Sequence, residues 1–317
     1  MHGRRVLVSG AGGFIGRTSV APLLARGYEV HAVVTPRGRA QAPAALAPKA
    51  VHAVDLLDAA AVESLLAAVA PSHLLHFAWI ATPGIYWTSP MNDRWLAAGE
   101  TLLRAFHRHG GVRAVLAGSC AEYDWSRVAV CHEAASPLAS DAGAATAATP
   151  YAAAKIGLER RLAVFGREYG LSGAWGRLFF QYGPHENPAR LVPATIMSLL
   201  EGREAHCTHG RQVRSFLHVA DVGAAFAALL DSPVEGPVNI GSPEPVSIGE
   251  LVSRIGAHIG RPELLRFGAI PAPAGEPAVL LPDVRRLSEE VGWRPSIGLD
   301  DGLADTIAWW LGAIDRA

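Results

Sequence analysis

The residues with the most chemical promise are Tyr151 and Lys155, in the stretch TPYAAAKIGLE. Pro150 suits the first turn of a helix, and a spacing of four then puts the phenol and the ammonium on one helix face. An ammonium beside a phenol favours the phenolate and draws the tyrosine pKa toward working pH. A tyrosine tuned in that way gives or takes a proton at a carbonyl or alcohol oxygen. Tyr-x-x-x-Lys also arises by chance, so a plain surface pair is the competing reading. The functional reading gains weight from LAGSCAEYD, about thirty residues earlier, where Ser119 ends an apolar run that reads as a strand. Open α/β sheets place ligands at the carboxyl ends of their strands. The Ser119 hydroxyl can therefore bond the same substrate oxygen.

A second constellation is SGAGGFIG, with Gly10, Gly13 and Gly16 between a strand and a helix. The first glycine permits a tight turn, the second lets the backbone approach a pyrophosphate, and the third lets the helix pack close to the sheet. The helix N-terminus then faces the phosphate charge. The stretch HAVVTPRGR, residues 31–39, ends the next strand. A carboxylate there binds the ribose hydroxyls of NAD, whereas an arginine suits the 2′-phosphate of NADP. The chain offers Thr35, Pro36, Arg37 and Arg39 and no acid, which points to NADP(H) with Arg37 or Arg39 as the contact. A solvated loop arginine is the alternative. HCTHG, residues 206–210, crowds Cys207 between two histidines but lacks a carboxylate or second cysteine, so no metal is expected. Trp79 and Trp87 fall in the loop after the fourth strand and are within reach of a substrate.

These groups need a scaffold, and the first half of the chain supplies an alternation. RRVLVSG, YEVHAVV, AVHAVDL, HLLHFA and VRAVLAG read as strands. Between them lie a helix stopped by Gly27, a helix capped by Asp58 with Val62, Leu65, Leu66 and Val69 on one face, and a helix from about Pro90 to His109. Apolar strands alternating with helices imply a parallel sheet covered on both faces, an α/β doubly wound (Rossmann) fold. Past about Arg177 the chain turns rich in proline and glycine, as in a smaller α/β substrate domain. The expected division is 1–176 for the dinucleotide-binding unit, with 212–241 returning to it, and 177–317 for the substrate unit. A last helix from about Leu299 places Leu303, Ile307, Trp310, Leu311 and Ile314 on one stripe. The Ala-rich stretches 42–50 and 140–150 read as loops.

The chain has 317 residues, half of them hydrophobic, and a formal net charge of −1. Nothing in that balance argues for nucleic acid or an anionic membrane surface. Three cysteines, Cys120, Cys131 and Cys207, have no CxxC spacing and suit a reducing cytoplasm. No apolar run is long enough for a membrane span, and the N-terminus reads as a strand and turn, not a signal peptide.

Glycine turn, Ser, Tyr and Lys in this order resemble the short-chain dehydrogenase/reductases, and the length and C-terminal half resemble the extended subfamily of nucleotide-sugar epimerases, dehydratases and reductases. GAGGFIG, VDLLD, LLHFAW, SCAEY, PYAAAK, RLFFQYGP, RLVP, RSFLHVADV and VNIGS follow in family order over nearly the whole chain. The resemblance implies roles. Tyr151 is the acid/base, Lys155 binds the nicotinamide ribose and tunes Tyr151, and Ser119 orients the substrate. The cofactor contacts include Gly10, Gly13, Phe14, Ile15 and Gly16, with Asp55 and Leu56 at the adenine and Phe77 and Ala78 at the fourth strand end. Thr82, His185, Leu191, Val192, Pro193 and Arg214 fall on the substrate side, Arg214 as the diphosphate ligand.

The departures carry information. Dehydratases of this family follow their Thr with Asp-Glu, and here those slots hold Cys120 and Ala121. Epimerase-reductases place a Cys two residues after the Ser, and that slot is Ala121, although His185 of YGPHEN is kept. The Asn often found before YG is Phe180, and a usual Arg falls on Pro273. The expectation is an NADPH-dependent ketoreductase of a nucleotide-linked keto-(deoxy)sugar, homodimeric and cytoplasmic. The alternatives are an NAD-dependent 4-epimerase and, from another class, a non-catalytic cofactor-sensing protein.

Overall fold

Each apolar run read as a strand is one in the computed structural model, which describes residues 4–47, 50–141 and 149–314 and, for residues 39–41, the backbone alone. The Arg39 side chain and most of the Ala-rich stretch 140–150 lie outside the described residues. The main strands are β1 (Arg5–Ser9), β2 (Glu29–Val34), β3 (Val51–Ala53), β4 (His73–His76) and β5 (Arg113–Ser119). Shorter ones follow, interleaved with two long ones: β6 (Val130–Cys131), β7 (Ser172–Leu178), β8 (Phe180–Tyr182), β9 (Ala205–His206), β10 (Val213–His218), β11 (Gly236–Ile240), β12 (Pro245–Ser247), β13 (Leu265–Arg266) and β14 (Leu281–Pro282). The helices are α1 (Gly16–Ala25), α2 (Ala59–Val69), α3 (Met91–Arg108), α4 (Pro150–Tyr169), α5 (Leu191–Leu200), α6 (Val219–Asp231), α7 (Ile248–Ile259) and α8 (Leu299–Ile314).

Seven strands form one parallel sheet in the order β11-β7-β5-β4-β1-β2-β3. Strand order reverses between β1 and β4, and a crevice opens at that switch point outside the carboxyl ends of the strands. One face of the sheet packs on α1 and α6 through Val20, Leu23, Val222, Phe226 and Leu230. The other packs on α2, α3 and α4 through Val62, Leu66, Leu102, Phe106, Leu158 and Phe165. This two-sided burial is why the strands are apolar throughout. A third cluster, including Ile196, Leu199, Leu251, Ile255 and Leu303, lies among α5, α7 and α8. Among the described residues no helix is long and apolar enough to cross a membrane.

The helix starts follow the local chemistry. Asp58 caps α2 by accepting from the Ala60 and Ala61 amides, and Thr149 caps α4 by accepting from Ala152 N. One apolar position differs from expectation. On α8, Leu303 and Trp310 are buried but Leu311 is exposed. The contact stripe includes Thr306 and Trp309 instead, which turns Leu311 away from α5 and α7.

The glycine turn after β1 is packed tightly against backbone. A Cβ at Gly16 would stand 2.2 Å from the carbonyl oxygen of Gly10, a backbone atom that has no room to move. Gly16→Ala is therefore expected to lower the unfolding free energy by about 2 kcal/mol, in the range for overpacking. Urea denaturation checks this, and an unchanged midpoint would contradict the close packing of α1 on the turn.

Candidate active site

The glycine turn and the end of β4 meet at the switch point. Gly10 has φ +68° and lies against Ala78, so that a Cβ would approach Ala78 N to 2.9 Å. Gly13 N donates to Gly10 O (2.9 Å), and the Arg17 guanidinium donates to Gly12 O (2.7 Å), which holds the turn closed. Phe14 and Ile15 are half-buried, and no side chain caps the N-terminus of α1. Unclaimed amides at a helix start beside small residues are what a pyrophosphate requires, so this cradle fits a dinucleotide.

The end of β4 is fixed from below. Ser9 Oγ accepts from the Phe77 and Ala78 amides (3.2 and 3.3 Å) and lies 2.6 Å from His76 Nδ1. With two amides donating to it, the hydroxyl points its own proton at Nδ1, which leaves the other ring nitrogen protonated. That buried Nε2 has no partner. Burial, with Lys155 adding to it, pulls the His76 pKa from 6.5 down to about 3. Asp55 is exposed after β3 and accepts from Leu57 N, while Leu56 is buried. Arg37 is exposed in the turn after β2.

Ser119, Tyr151 and Lys155 are brought together. Ser119 is the last residue of β5, and Tyr151 and Lys155 share the first turns of α4. The Tyr151 amide donates to the carbonyl of Trp87 (3.2 Å), which docks the helix start on the β4–α3 loop. Burial pushes the Tyr151 phenol above its ordinary value, and its hydrogen bond with the Ser119 side chain works against that. Lys155 is buried, donates to Ala117 O (2.8 Å), and rests 3.9 Å above the Trp79 ring. Its Nζ lies 5.9 Å from the Tyr151 ring centre. Burial draws the ammonium down toward neutrality, opposed by Glu122. The spacing of four suggested that the lysine pulls the tyrosine pKa down. Desolvation is the largest influence on the phenol, which holds its proton more firmly than in water.

No motif or spacing pointed to Glu122, which has 0% exposure. Its Oε1 accepts from Ser119 N (2.7 Å), and its Oε2 pairs with Arg177 Nε (2.7 Å). Arg177 also pairs with Glu159 of α4 (2.7 Å), so the Ser119 turn and the Tyr-Lys helix hang on one cation. Asn92 was equally silent. Buried at the start of α3, it accepts from Trp79 Nε1 and donates to the Tyr86 and Ser89 carbonyls, pinning the loop that carries Trp79 and Trp87. That loop brings Tyr86 and Trp87 to 4.8 and 5.7 Å from the Tyr151 ring, and Trp125 stands 6.0 Å from Trp87.

The residues assigned to the substrate side are more dispersed. Thr82 and Leu191 are exposed, while Val192 and Pro193 are buried in α5. His185 is exposed with φ +69° and sits 4.5 Å from the Trp309 ring. Arg214 is 2% exposed and bonds Glu276 (3.0 Å), Pro277 O and Val213 O. Cys120 is buried, and desolvation pushes its thiol up to about 12. No group of three metal-ligating side chains occurs among the described residues. In HCTHG, Ala205 and His206 form β9 and the Cys207 amide donates to Arg266 O.

Two measurements probe this framework. Glu122→Gln leaves Arg177 buried with one carboxylate, and its unfolding free energy is expected to fall by about 3 kcal/mol, the scale for a broken buried pair. A loss within 0.5 kcal/mol, about that of an exposed position, would show the pair is dispensable. His76 is neutral in the fold and has an ordinary pKa of 6.5, so the unfolded chain binds more protons between pH 3 and 6.5. Stability is thus lost as pH falls through that window. His76→Asn is expected to flatten the loss by up to about 1.4 kcal/mol per pH unit. Parallel denaturation curves for the two proteins at pH 6 and about pH 4.5 compare the slopes, and equal slopes would refute the assignment.

The comparisons with known proteins agree with this geometry. A profile of the NAD dependent epimerase/dehydratase family matches residues 6–245. A dTDP-4-dehydro-6-deoxy-D-allose reductase of Streptomyces bikiniensis is 31% identical over 324 residues, covering 97% of this chain and 96% of that one. UDP-glucuronic acid decarboxylase 1 of Xenopus tropicalis is 25% identical over 97% of this chain and 72% of its own. Among solved structures, a dTDP-glucose 4,6-dehydratase of Streptomyces venezuelae with NAD bound superposes with a TM-score of 0.83 at 26% identity, over 98% of each chain. With the Rossmann sheet, the glycine turn and the Ser-Tyr-Lys arrangement in place, the chain belongs to the NAD-dependent epimerase/dehydratase family and is an NAD(P)-dependent enzyme of the extended short-chain dehydrogenase/reductase type.

Proposed function

We propose that the protein is an NADPH-dependent ketoreductase acting on a nucleotide-linked keto-(deoxy)sugar. The observation that carries this reading is that Tyr151, bonded to Ser119, is the proton-bearing group at the strand end, while the neighbouring acid/base slots are inert. Cys120 is a buried thiol that stays protonated at neutral pH, Ala121 has no proton to give, and Glu122 is committed to Arg177. His185 rests on Trp309. Dehydration, or inversion at a carbon beside the carbonyl, needs a second group that accepts a proton from carbon, and Cys120, Ala121 and Glu122 do not supply it. The reductase of Streptomyces bikiniensis, similar over nearly the whole chain, supports the same choice.

In this reading the Gly10–Gly16 turn and the amides at the start of α1 hold the pyrophosphate, Asp55 and Leu56 flank the adenine, and Phe77 and Ala78 line the cleft. Arg37, in the turn where an acid would favour NAD, faces the 2′-phosphate. The bound nicotinamide supplies a hydride to the carbonyl carbon. Ser119 donates a hydrogen bond to the carbonyl oxygen and so places it against Tyr151. The Tyr151 phenol gives its proton to that oxygen as negative charge develops, and the ketone becomes an alcohol. A pKa held above the ordinary phenol value keeps this acid loaded at neutral pH. The Lys155 cation, one turn along α4, stabilises the phenolate left behind. Arg214 and the start of α5 (Leu191, Val192 and Pro193) would bind the nucleotide diphosphate, with Thr82 and His185 nearer the sugar. The same reading expects a cytoplasmic homodimer.

Tyr151→Phe is expected to lower turnover at least 1,000-fold, within the range for a lost general acid, while NADPH binding is retained. An active Phe variant would sink the assignment. Arg37→Glu is expected to weaken NADPH at least about 10-fold relative to NADH, the scale of one charge-assisted contact. Fluorescence titration with both cofactors reads this, and an unshifted ratio would make Arg37 a bystander and move the reading to the NAD-dependent epimerase.

A further inference from the structure

We propose that Trp87 and Trp125, with Tyr86 behind them, form an aromatic wall that selects a sugar bearing a methyl group on the carbon next to its carbonyl, and that rejects the corresponding hydroxymethyl sugar. This rests on the ketoreductase reading and assigns its substrate selectivity to particular residues.

The wall is built around the reacting group. The Tyr86 ring meets the Tyr151 ring edge-on at 4.8 Å and 85°, and the Trp87 ring does so at 5.7 Å and 80°. Trp125 continues the surface from Trp87 at 6.0 Å and 85°. Trp87 and Trp125 are only partly buried, whereas Tyr86 is 8% exposed and supports them from behind. A carbonyl oxygen held between Ser119 and Tyr151 brings the substituents of the flanking carbons within reach of these rings.

Trp87 stacks on Tyr86 (4.7 Å, 30°), and the partial exposure of Trp87 and Trp125 is what leaves ring surface for a ligand. Trp125 Nε1 is spent on the Cys120 carbonyl (2.8 Å). The Trp87 carbonyl receives the Tyr151 amide (3.2 Å), and the Tyr86 carbonyl receives Asn92 Nδ2 (2.7 Å). The Tyr86 hydroxyl interacts with Arg190, whose guanidinium lies 5.4 Å over that ring. Behind Trp125, Cys120 and Ala121 extend the apolar character. Aromatic faces pack well against methyl and methylene groups, but a hydroxyl pressed onto them loses water and gains no partner. The chemistry next to Tyr151 therefore matches a C–H-rich edge of the sugar.

The test compares two stable nucleotide sugars, dTDP-6-deoxygalactose and dTDP-galactose, by calorimetric titration in the presence of NADP+, with NADPH formation followed in parallel. The deoxy sugar is expected to bind about 10- to 100-fold more tightly, the discrimination an apolar pocket achieves against a hydroxyl. In Trp87→Gln, whose carboxamide can serve a hydroxyl, the ratio is expected to drop to within about threefold, below the discrimination a single methylene produces. Trp125→Gln makes the same test from another element should Trp87→Gln fail to fold. Equal affinities in the wild type, or a ratio unchanged in both variants, overturn the wall. Discrimination without NADPH formation keeps the wall and sinks the ketoreductase reading. Binding of neither sugar overturns both.

Discussion

The site depends on one buried cation. Arg177 is 1% exposed near the carboxyl end of β7, and each of its nitrogens has an acceptor. A guanidinium in such a place is tolerated only with full compensation, because taking it out of water is expensive. Burial works against its charge, and Glu122, Tyr123 and Glu159 more than offset that, holding its pKa above the ordinary arginine value. Those partners come from different elements: the turn after β5 and helix α4. Ser119 is fixed because Glu122 accepts its amide while bound to Arg177, and the Tyr-Lys helix is fixed because Glu159 follows Lys155 by one turn. The positions of Ser119 and the Tyr151 helix are thus set from beneath, by a buried ion-pair network.

The dinucleotide cleft has a separate origin. It follows from strand order, since any sheet that winds outward in both directions from β1 and β4 leaves a gap at their carboxyl ends. The glycines make that gap usable. Gly10 provides the positive φ and the close approach to Ala78, and Gly16 lets α1 begin directly beneath the turn. Ser9 and His76 then carry the constraint across from β1 to β4 through side chains.

This division explains what the amino-acid order disclosed. The strands, α1 to α4, the Asp58 cap and the glycine turn depend on local periodicity and backbone sterics, and they were legible. Ser119, Tyr151 and Lys155 were legible as a set because motif spacing and strand ends are local too. Glu122 was not, because its partner Arg177 lies 55 residues on and nothing in either segment announces the pairing. Leu311 was misread because helix periodicity gives a stripe but not which edge of it meets a neighbour. Asn92 looks like any polar residue at a helix start, and only the fold makes it the post for Trp79 and the Tyr86 carbonyl. The burial of the Tyr151 phenol was hidden for a similar reason, since burial cannot be judged from a spacing of four.

The sequestering of protons narrows the chemistry further. His76 is held neutral by burial, its Nδ1 fixed on Ser9. Cys120 keeps its proton in an apolar setting beside Tyr123 and Phe179. Glu122 is balanced against Arg177. Among the described residues, the Tyr151 phenol and Ser119 hydroxyl meet at the strand end, with the Lys155 amine, drawn toward neutrality by burial, one turn along α4. A phenol that holds its proton tightly is a poor base at neutral pH but a ready acid toward a carbonyl oxygen whose carbon gains a hydride, because the alkoxide formed there is more basic than the phenolate left behind. The low-dielectric surroundings that raise the Tyr151 pKa extend to Trp87 and Trp125, so the proposed reduction would take place against a wall of aromatic rings.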